Sequence, residues 1–280
     1  MMPWSCDTLV MPDALAHALG EGDVFERVMR LEGQVFRDVP GRRTLRVELN
    51  GRRYFAKLHH GVGWREIFKN LLSLRLPVVS AMTEVRAVQR LGELGIPTTP
   101  AVAWGCRGST PATLRSFILT ADLGDIVSLE DYCRDWATTP PPLPLKRRIL
   151  RTVAHTARTL HEHGLNHRDF YLCHFCLDAR KLAEGAIHLY LIDLHRMQIR
   201  AETPSSARMK DMAALYFSAL DIGLSRRDCL RFLRLYRERP LRELLTHEPC
   251  FWARVERRAR VLYHKFHGRW PVTPFDEVER

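Results

Sequence analysis

Residues 166–175 read Asn166-His167-Arg168-Asp169-Phe170-Tyr171-Leu172-Cys173-His174-Phe175. A predicted helix over 145–163 runs into this stretch, with Ile149, Val153, Thr156 and Leu160 on its apolar face and Gly164 as its stop signal. A short apolar segment follows and carries Ile192-Asp193-Leu194-His195. Two carboxylates, Asp169 and Asp193, therefore each sit beside an apolar segment. The pattern suits phosphoryl transfer, in which one Asp orients an attacking hydroxyl and the other holds Mg²⁺.

Upstream, three runs read as antiparallel strands: residues 34–39, 44–49 and 53–58. Pro40-Gly41-Arg42-Arg43 supplies one turn and Asn50-Gly51, a strong hairpin signal, the other. Lys57 falls among Phe55, Ala56 and Leu58 in the third strand. It could hold phosphate oxygens, or merely guard an edge strand. A helix is predicted over 81–94, with Val85, Val88, Leu91 and Leu94 on one drifting face and Glu84 near its start; Gly95 and Pro97 end it. Strands over 101–104 and 116–119 follow, and Thr120-Ala121-Asp122-Leu123-Gly124 leads into a mostly helical half. The division expected is a preface over 1–30, a sheet-containing lobe over 31–122, a helical lobe over 123–268 and a loose tail over 269–280. Within the helical lobe, 198–208 reads as a polar loop before an apolar helix over 210–220.

The 280 residues are 46% hydrophobic, enough for a core without disulfides. Seven scattered cysteines form no disulfide framework and suit a reducing compartment. No basic-then-apolar leader opens the chain and no apolar run would span a bilayer, so the expectation is cytoplasmic. The net charge of +11 attracts polyanions: nucleic acid, an anionic membrane, a phosphorylated glycan or an acidic protein. Arg-rich helices over 226–242 and 254–260 concentrate that charge but lack interleaved aromatics for stacking bases, so no nucleic acid is expected. Residues 61–80 place Trp64, Ile67, Phe68, Leu71 and Leu72 at helical spacing beside Arg65, Lys69 and Arg75. Such a helix either packs on the small lobe or lies on a membrane surface. Cys173-x-x-Cys176 has no second pair, and His161-Glu162-His163 with His167 lacks the spacing of a helical zinc site, so neither is read as a metal centre.

A sheet lysine, a helix glutamate, a connector and a helical half with two Asp follow the order of a protein-kinase-like fold. The opening stretch is similar to the catalytic loop H-R-D-x-x-x-x-N, and Ile192-Asp193-Leu194-His195 stands where kinases carry D-F-G. Lys57 and Glu84 match the third-strand lysine and its helix partner, and Asp211 the aspartate that braces the catalytic loop. More narrowly, the chain resembles the lipopolysaccharide core heptose(I) kinases. The text that carries the likeness is Gly41-Arg42-Arg43-Thr44, Tyr54-Phe55-Ala56-Lys57, Gly61-Val62-Gly63-Trp64-Arg65-Glu66-Ile67, Asn166-His167-Arg168-Asp169, Cys173-His174-Phe175, Ile192-Asp193-Leu194-His195-Arg196 and the run from Lys210 to Ser218.

The resemblance implies an α+β, bilobal fold, with an antiparallel-sheet N-lobe, a mostly helical C-lobe, and ATP and Mg²⁺ taken between them. It implies phosphorylation of a heptose of inner-core lipopolysaccharide at the inner face of the inner membrane; the Arg-rich helices add an anionic membrane surface and an acidic protein as further expected partners. Lys57, held by Glu84, would grip the triphosphate, with Gly41 and Asp122 on the nucleotide side. Asp193 would bind Mg²⁺, and Asp169 would receive the proton of the sugar hydroxyl. His174 replaces the kinase Asn; imidazole suits a hard cation less well than a carbonyl oxygen, which weighs against it as a second metal ligand. Leu194-His195 in place of Phe-Gly argues against a switching segment. A protein kinase, including one for tyrosine, and a nucleotide-binding scaffold are the competing readings.

Overall fold

The computed structural model describes residues 6–61, 80–110 and 112–276. Trp64, Ile67, Phe68 and the remainder of the amphipathic stretch over 62–79 lie outside the described residues. The chain divides into two units. The first takes residues up to Glu93, Thr98–Gly124 and Leu194–Arg196; the second takes Leu94–Pro97, Asp125–Asp193 and the chain from Met197 onward.

The first unit is built on a six-stranded antiparallel sheet. Its strands are β1 (Cys6–Val10), β2 (Gln34–Val39), β3 (Arg42–Leu49), β4 (Arg52–His59), β5 (Ala101–Gly108) and β6 (Arg115–Ala121), in the order β1-β5-β6-β4-β3-β2. The Asn50-Gly51 turn joins β3 to β4 with both residues at positive φ, 51° and 69°, the geometry that matches strand twist. Alternation along β4 sorts its residues. Tyr54, Ala56 and Leu58 enter a core with Leu45, Phe117, Leu119, and with Leu15, Phe25 and Val28 from two short helices. Those helices are α1 (Asp13–Leu19) and α2 (Val24–Met29), the latter capped by the Asp23 carboxylate on the Phe25 and Glu26 N–H groups. Residues 6–29, set apart above as a preface, thus supply a strand and two helices to this unit. The opposite sheet face carries α3 (Met82–Glu93), whose Val85 packs on Ile118.

The second unit is mainly helical. Short strands β7 (Ile126–Ser128), β9 (Phe175–Asp178) and β10 (Leu189–Leu191) form one small sheet, and β8 (Leu165–Asn166) pairs with β11 (Gln198–Ile199). The helices are α4 (Leu129–Tyr132), α5 (Leu143–Glu162), α6 (Ala179–Ala183), α7 (Ser205–Ser218), α8 (Arg226–Arg237), α9 (Leu241–His247) and α10 (Pro249–His267). Gly164, at φ 80°, follows α5, and a Cβ there would lie 1.9 Å from the Arg200 carbonyl oxygen, so only glycine fits. The loop expected over 198–208 is shorter than that. Gln198–Ile199 is paired strand, and α7 starts at Ser205, where the Ala207 and Arg208 N–H groups bond the Pro204 carbonyl. Its first turn is exposed Ser205-Ser206, which carries no apolar periodicity to read. The tail folds back: Thr273 is buried and its hydroxyl accepts from Arg260 of α10. Among the described residues no helix is long and apolar enough to cross a membrane.

Candidate active site

Each unit holds its own part of the candidate set. In the first, the β4 alternation that buries Ala56 and Leu58 turns Lys57 to the other face. There its Nζ lies 2.5 Å from Glu84 Oε1 of α3. Glu84 is only 4% exposed and its second oxygen, Oε2, is buried without a hydrogen-bond partner. A buried carboxylate is tolerated only when charge-paired, so the pair fixes the position of the ammonium. Next along the same face, His59 is buried, and burial together with the Arg42 and Lys57 charges pushes its pKa down to about 3. It is therefore a neutral group beside cations.

Two further candidates of this unit have structural partners. Gly41 turns β2 into β3 at φ 78°, and its carbonyl accepts from the His60 N–H at 2.9 Å. The Asp122 carboxylate accepts from the Gly124 N–H at 2.9 Å and lies 3.5 Å from Arg53 Nε. It holds the connector turn.

In the second unit the residues between β8 and β9 form the loop that carries Asp169. Two residues in the site take the left-handed region: Arg168 at φ 74° and Asp193 at φ 61°. Such a conformation persists in a non-glycine residue only where the surroundings enforce it. For Arg168 the enforcing group is Asp211 of α7, 1% exposed. Its Oδ1 accepts from the Arg168 N–H at 2.9 Å and its Oδ2 from the His167 N–H at 2.7 Å. His161 Nε2 stands 3.4 Å from the same Oδ2, and His161 Nδ1 is 2.7 Å from the Tyr236 hydroxyl. The carboxylate can only accept, so Nε2 carries the proton and the hydroxyl donates to Nδ1. Burial raises the Tyr236 pKa, which keeps that hydroxyl protonated.

The histidines of the loop are also tied down. His167 is fully buried, and burial pushes its pKa down. Its Nε2 donates to the Ile192 carbonyl at 3.0 Å, joining the loop to the residue before Asp193. Its ring stacks on His174 with centroids 5.6 Å apart. His174 Nδ1 donates to the Asp169 carbonyl at 2.6 Å, and Nε2 faces Asp193 Oδ2 at 3.6 Å. His174 thus stands between the Asp169 main chain and the Asp193 carboxylate. An approach between Nε2 and a carboxylate oxygen is favourable when a proton or a shared cation lies between them. This donor set fits one Mg²⁺: a carboxylate oxygen of Asp193 suits the hard ion, which commonly takes only one or two protein carboxylates.

The His161–Tyr236 bond to Asp211 is the part that sequence reasoning missed. Its members lie on three helices, and a lone His on an apolar helix face gives no periodic signal. The Cys173 and Cys176 thiols are pushed up to about 11, mainly by burial, which makes them poor ligands and nucleophiles. Among the described residues no cluster of three or more His, Cys, Asp or Glu side chains could hold a metal. A separate concavity of about 350 Å³ lies in the second unit. It is lined largely by apolar groups, among them Leu150, Met212, Leu233, Trp252, Val255 and Phe275, and by no residue of the catalytic loop.

The fold and this constellation define a phosphotransferase of the protein-kinase type. A family model described as "Lipopolysaccharide kinase (Kdo/WaaP) family" matches residues 26–236. The chain is 50% identical to a lipopolysaccharide core heptose(I) kinase WaaP of Pseudomonas aeruginosa over 92% of its own length and 96% of the relative's. It is 46% identical to a protein of the same description from Escherichia coli, over 85% and 90%. A solved structure described as "WaaP in complex with acyl carrier protein" superposes with a TM-score of 0.80 at 46% identity, covering 91% of this chain and 99% of that one. The chain belongs to the lipopolysaccharide kinase (Kdo/WaaP) family.

Proposed function

We propose that the protein transfers the γ-phosphate of ATP to a hydroxyl of the first heptose of the lipopolysaccharide inner core. The observation that carries this reading is 50% identity over nearly the full length with a heptose(I) kinase, in a chain that keeps Asp169, Asp193 and the Lys57–Glu84 pair. In the transfer an oxygen–phosphorus bond forms to the sugar. The bond to the β,γ-bridging oxygen breaks with its electron pair leaving on ADP, and the hydroxyl proton passes to Asp169. Lys57 holds phosphate oxygens in place. Asp193, with His174 beside it, holds Mg²⁺, which when bound offsets the phosphate charge. Little covalent work is left to the protein beyond positioning and neutralisation. The test incubates the protein with ATP and core lipopolysaccharide lacking that phosphate. Mass spectrometry should find one added phosphate and nuclear magnetic resonance should place it on the first heptose; an unmodified acceptor, or phosphate elsewhere, overturns the reading.

His174 allows a sharper measurement. If it shares the cation with Asp193, His174→Ala raises the Mg²⁺ concentration for half-maximal activity about tenfold, in the range that loss of a metal-site group costs. If it only pins the Asp169 carbonyl, kcat falls at an unchanged Mg²⁺ requirement.

The acceptor is membrane-borne, so the protein works at the inner face of the inner membrane. An acyl carrier protein is the acidic partner proposed, on the description of the solved relative. Exposed Arg226, Arg227 and Arg234 of α8 and Arg254, Arg257 and Arg258 of α10 supply the charge for either surface. The apolar concavity that α7, α8 and α10 line is of the right chemistry for an acyl chain.

A further inference from the structure

The C-terminal end of α10 and the residues after it expose aromatic surface of a kind that soluble proteins normally cover. Phe266 is 77% exposed and Trp270 58% exposed. Scattered apolar side chains at a surface need no explanation, but here two large exposed rings fall within five residues at one end of α10. Both are held in place. Trp270 stacks on the His264 imidazole, centroids 4.4 Å apart and planes at 28°, which leaves its other face open. Phe266 sets its edge against Phe217 at 6.0 Å and against His267 at 4.9 Å. Rings fixed in this way lose little conformational entropy when a ligand arrives.

The patch is continuous with the catalytic loop. Phe217 of α7 touches Phe266 on one side and Tyr171 on the other, the latter at 6.0 Å. Tyr171 lies two residues past Asp169, and its N–H donates to the Asp169 carbonyl at 3.0 Å. A row of rings therefore runs from the residue assigned to the acceptor hydroxyl out to Phe266, and Trp270 lies four residues further along the chain, stacked on His264. Cations flank it: Lys265 and Arg269 are exposed, and the Arg269 guanidinium lies 5.3 Å from the Tyr263 ring centre.

We infer that Phe266 and Trp270, with Lys265 and Arg269, form an acceptor subsite for an anionic saccharide. The inference rests on the proposed reaction, whose acceptor is a core glycan. The open face of an aromatic ring carries partial negative charge, and the C–H groups on the flat face of a pyranose carry the opposite sign, so the two stack. The cations would take the carboxylate or phosphate of a neighbouring sugar. The subsite would hold the glycan at a distance from the hydroxyl that reacts, setting where along the chain phosphate is placed.

The test compares the whole chain with Trp270→Ala, Phe266→Ala and Trp270→Phe, using two acceptors: intact core lipopolysaccharide in micelles, and the same core oligosaccharide with its acyl chains removed. Calorimetric binding of the oligosaccharide is measured beside turnover. The Ala variants should bind the oligosaccharide about 2–10-fold more weakly each and raise the acceptor KM equally, with the KM for ATP and the melting temperature unchanged. Trp270→Phe should keep most of the affinity. Unchanged oligosaccharide binding overturns the inference. An effect confined to micelles overturns it in favour of a lipid-facing patch, and a lowered melting temperature in favour of a packing role. If the unsubstituted protein binds the oligosaccharide but phosphorylates neither acceptor, the proposed reaction fails while the subsite stands.

Discussion

Asp169→Asn leaves ATP binding nearly intact and lowers kcat by about 10²–10⁴-fold, the loss expected when a general base is removed. The fold holds the main chain of this residue from two sides. The Asp169 carbonyl accepts from His174 Nδ1 at 2.6 Å and from the Tyr171 N–H at 3.0 Å. The residue before it is fixed by Asp211. These main-chain bonds remain in the variant, and Asn matches Asp in shape. It lacks the capacity to take up a proton. Titration of the nucleotide against turnover under saturating acceptor separates the two effects. A variant that turns over at the original rate removes Asp169 from the proton transfer; one that fails to bind ATP shows the residue to serve the nucleotide instead.

The features legible in the sequence were those whose signal is local. Asn50-Gly51 announced a hairpin, and both residues take the positive φ that such a turn needs. The β4 alternation was visible as apolar residues around Lys57, and the kinase-like order paired that lysine with Glu84. The distance of 2.5 Å follows from two strands and a helix assembled by long-range packing, which no spacing reveals. β1 was not read as a strand. It pairs with β5 about a hundred residues further on, and its exposed face shows no alternation from which to recognise it. His161 was weighed only as part of a zinc-like cluster. Its partners are 50 and 75 residues away in Asp211 and Tyr236, and only the packing of α5 against α7 and α8 brings them within reach. His174 stands in the sequence where ordinary kinases carry Asn, but its bond to the Asp169 carbonyl depends on a turn that sequence does not specify.

Asp211→Asn should cost about 2–4 kcal/mol of stability and lower kcat by about 100-fold. The carboxylate accepts through both oxygens from two consecutive backbone N–H groups, and its Oδ2 also faces the His161 ring. Asn keeps one acceptor oxygen. Its NH₂ must then point at a second donor, either the Arg168 or the His167 N–H, leaving a buried donor without an acceptor. Each such orphan costs about 1–3 kcal/mol, and the lost charge strengthens the penalty. No small movement relieves it, because Asp211 is buried together with Met209 and Met212–Leu215 of α7. Arg168 meanwhile sits at φ 74°, a left-handed conformation that the bond to Asp211 helps to hold. Freed of one bond, the loop relaxes and carries Asp169 with it. A displacement of about 1 Å at a reacting group is worth about 10² in rate. The melting temperature should fall by about 4–16 °C, from about 2–4 °C per kcal/mol at this chain length. The decisive comparison is kcat measured well below the variant's melting temperature. A persistent loss there places the effect in the geometry of the loop. Full activity in the cold, with only the melting temperature lowered, shows that Asp211 stabilises the fold without positioning the base.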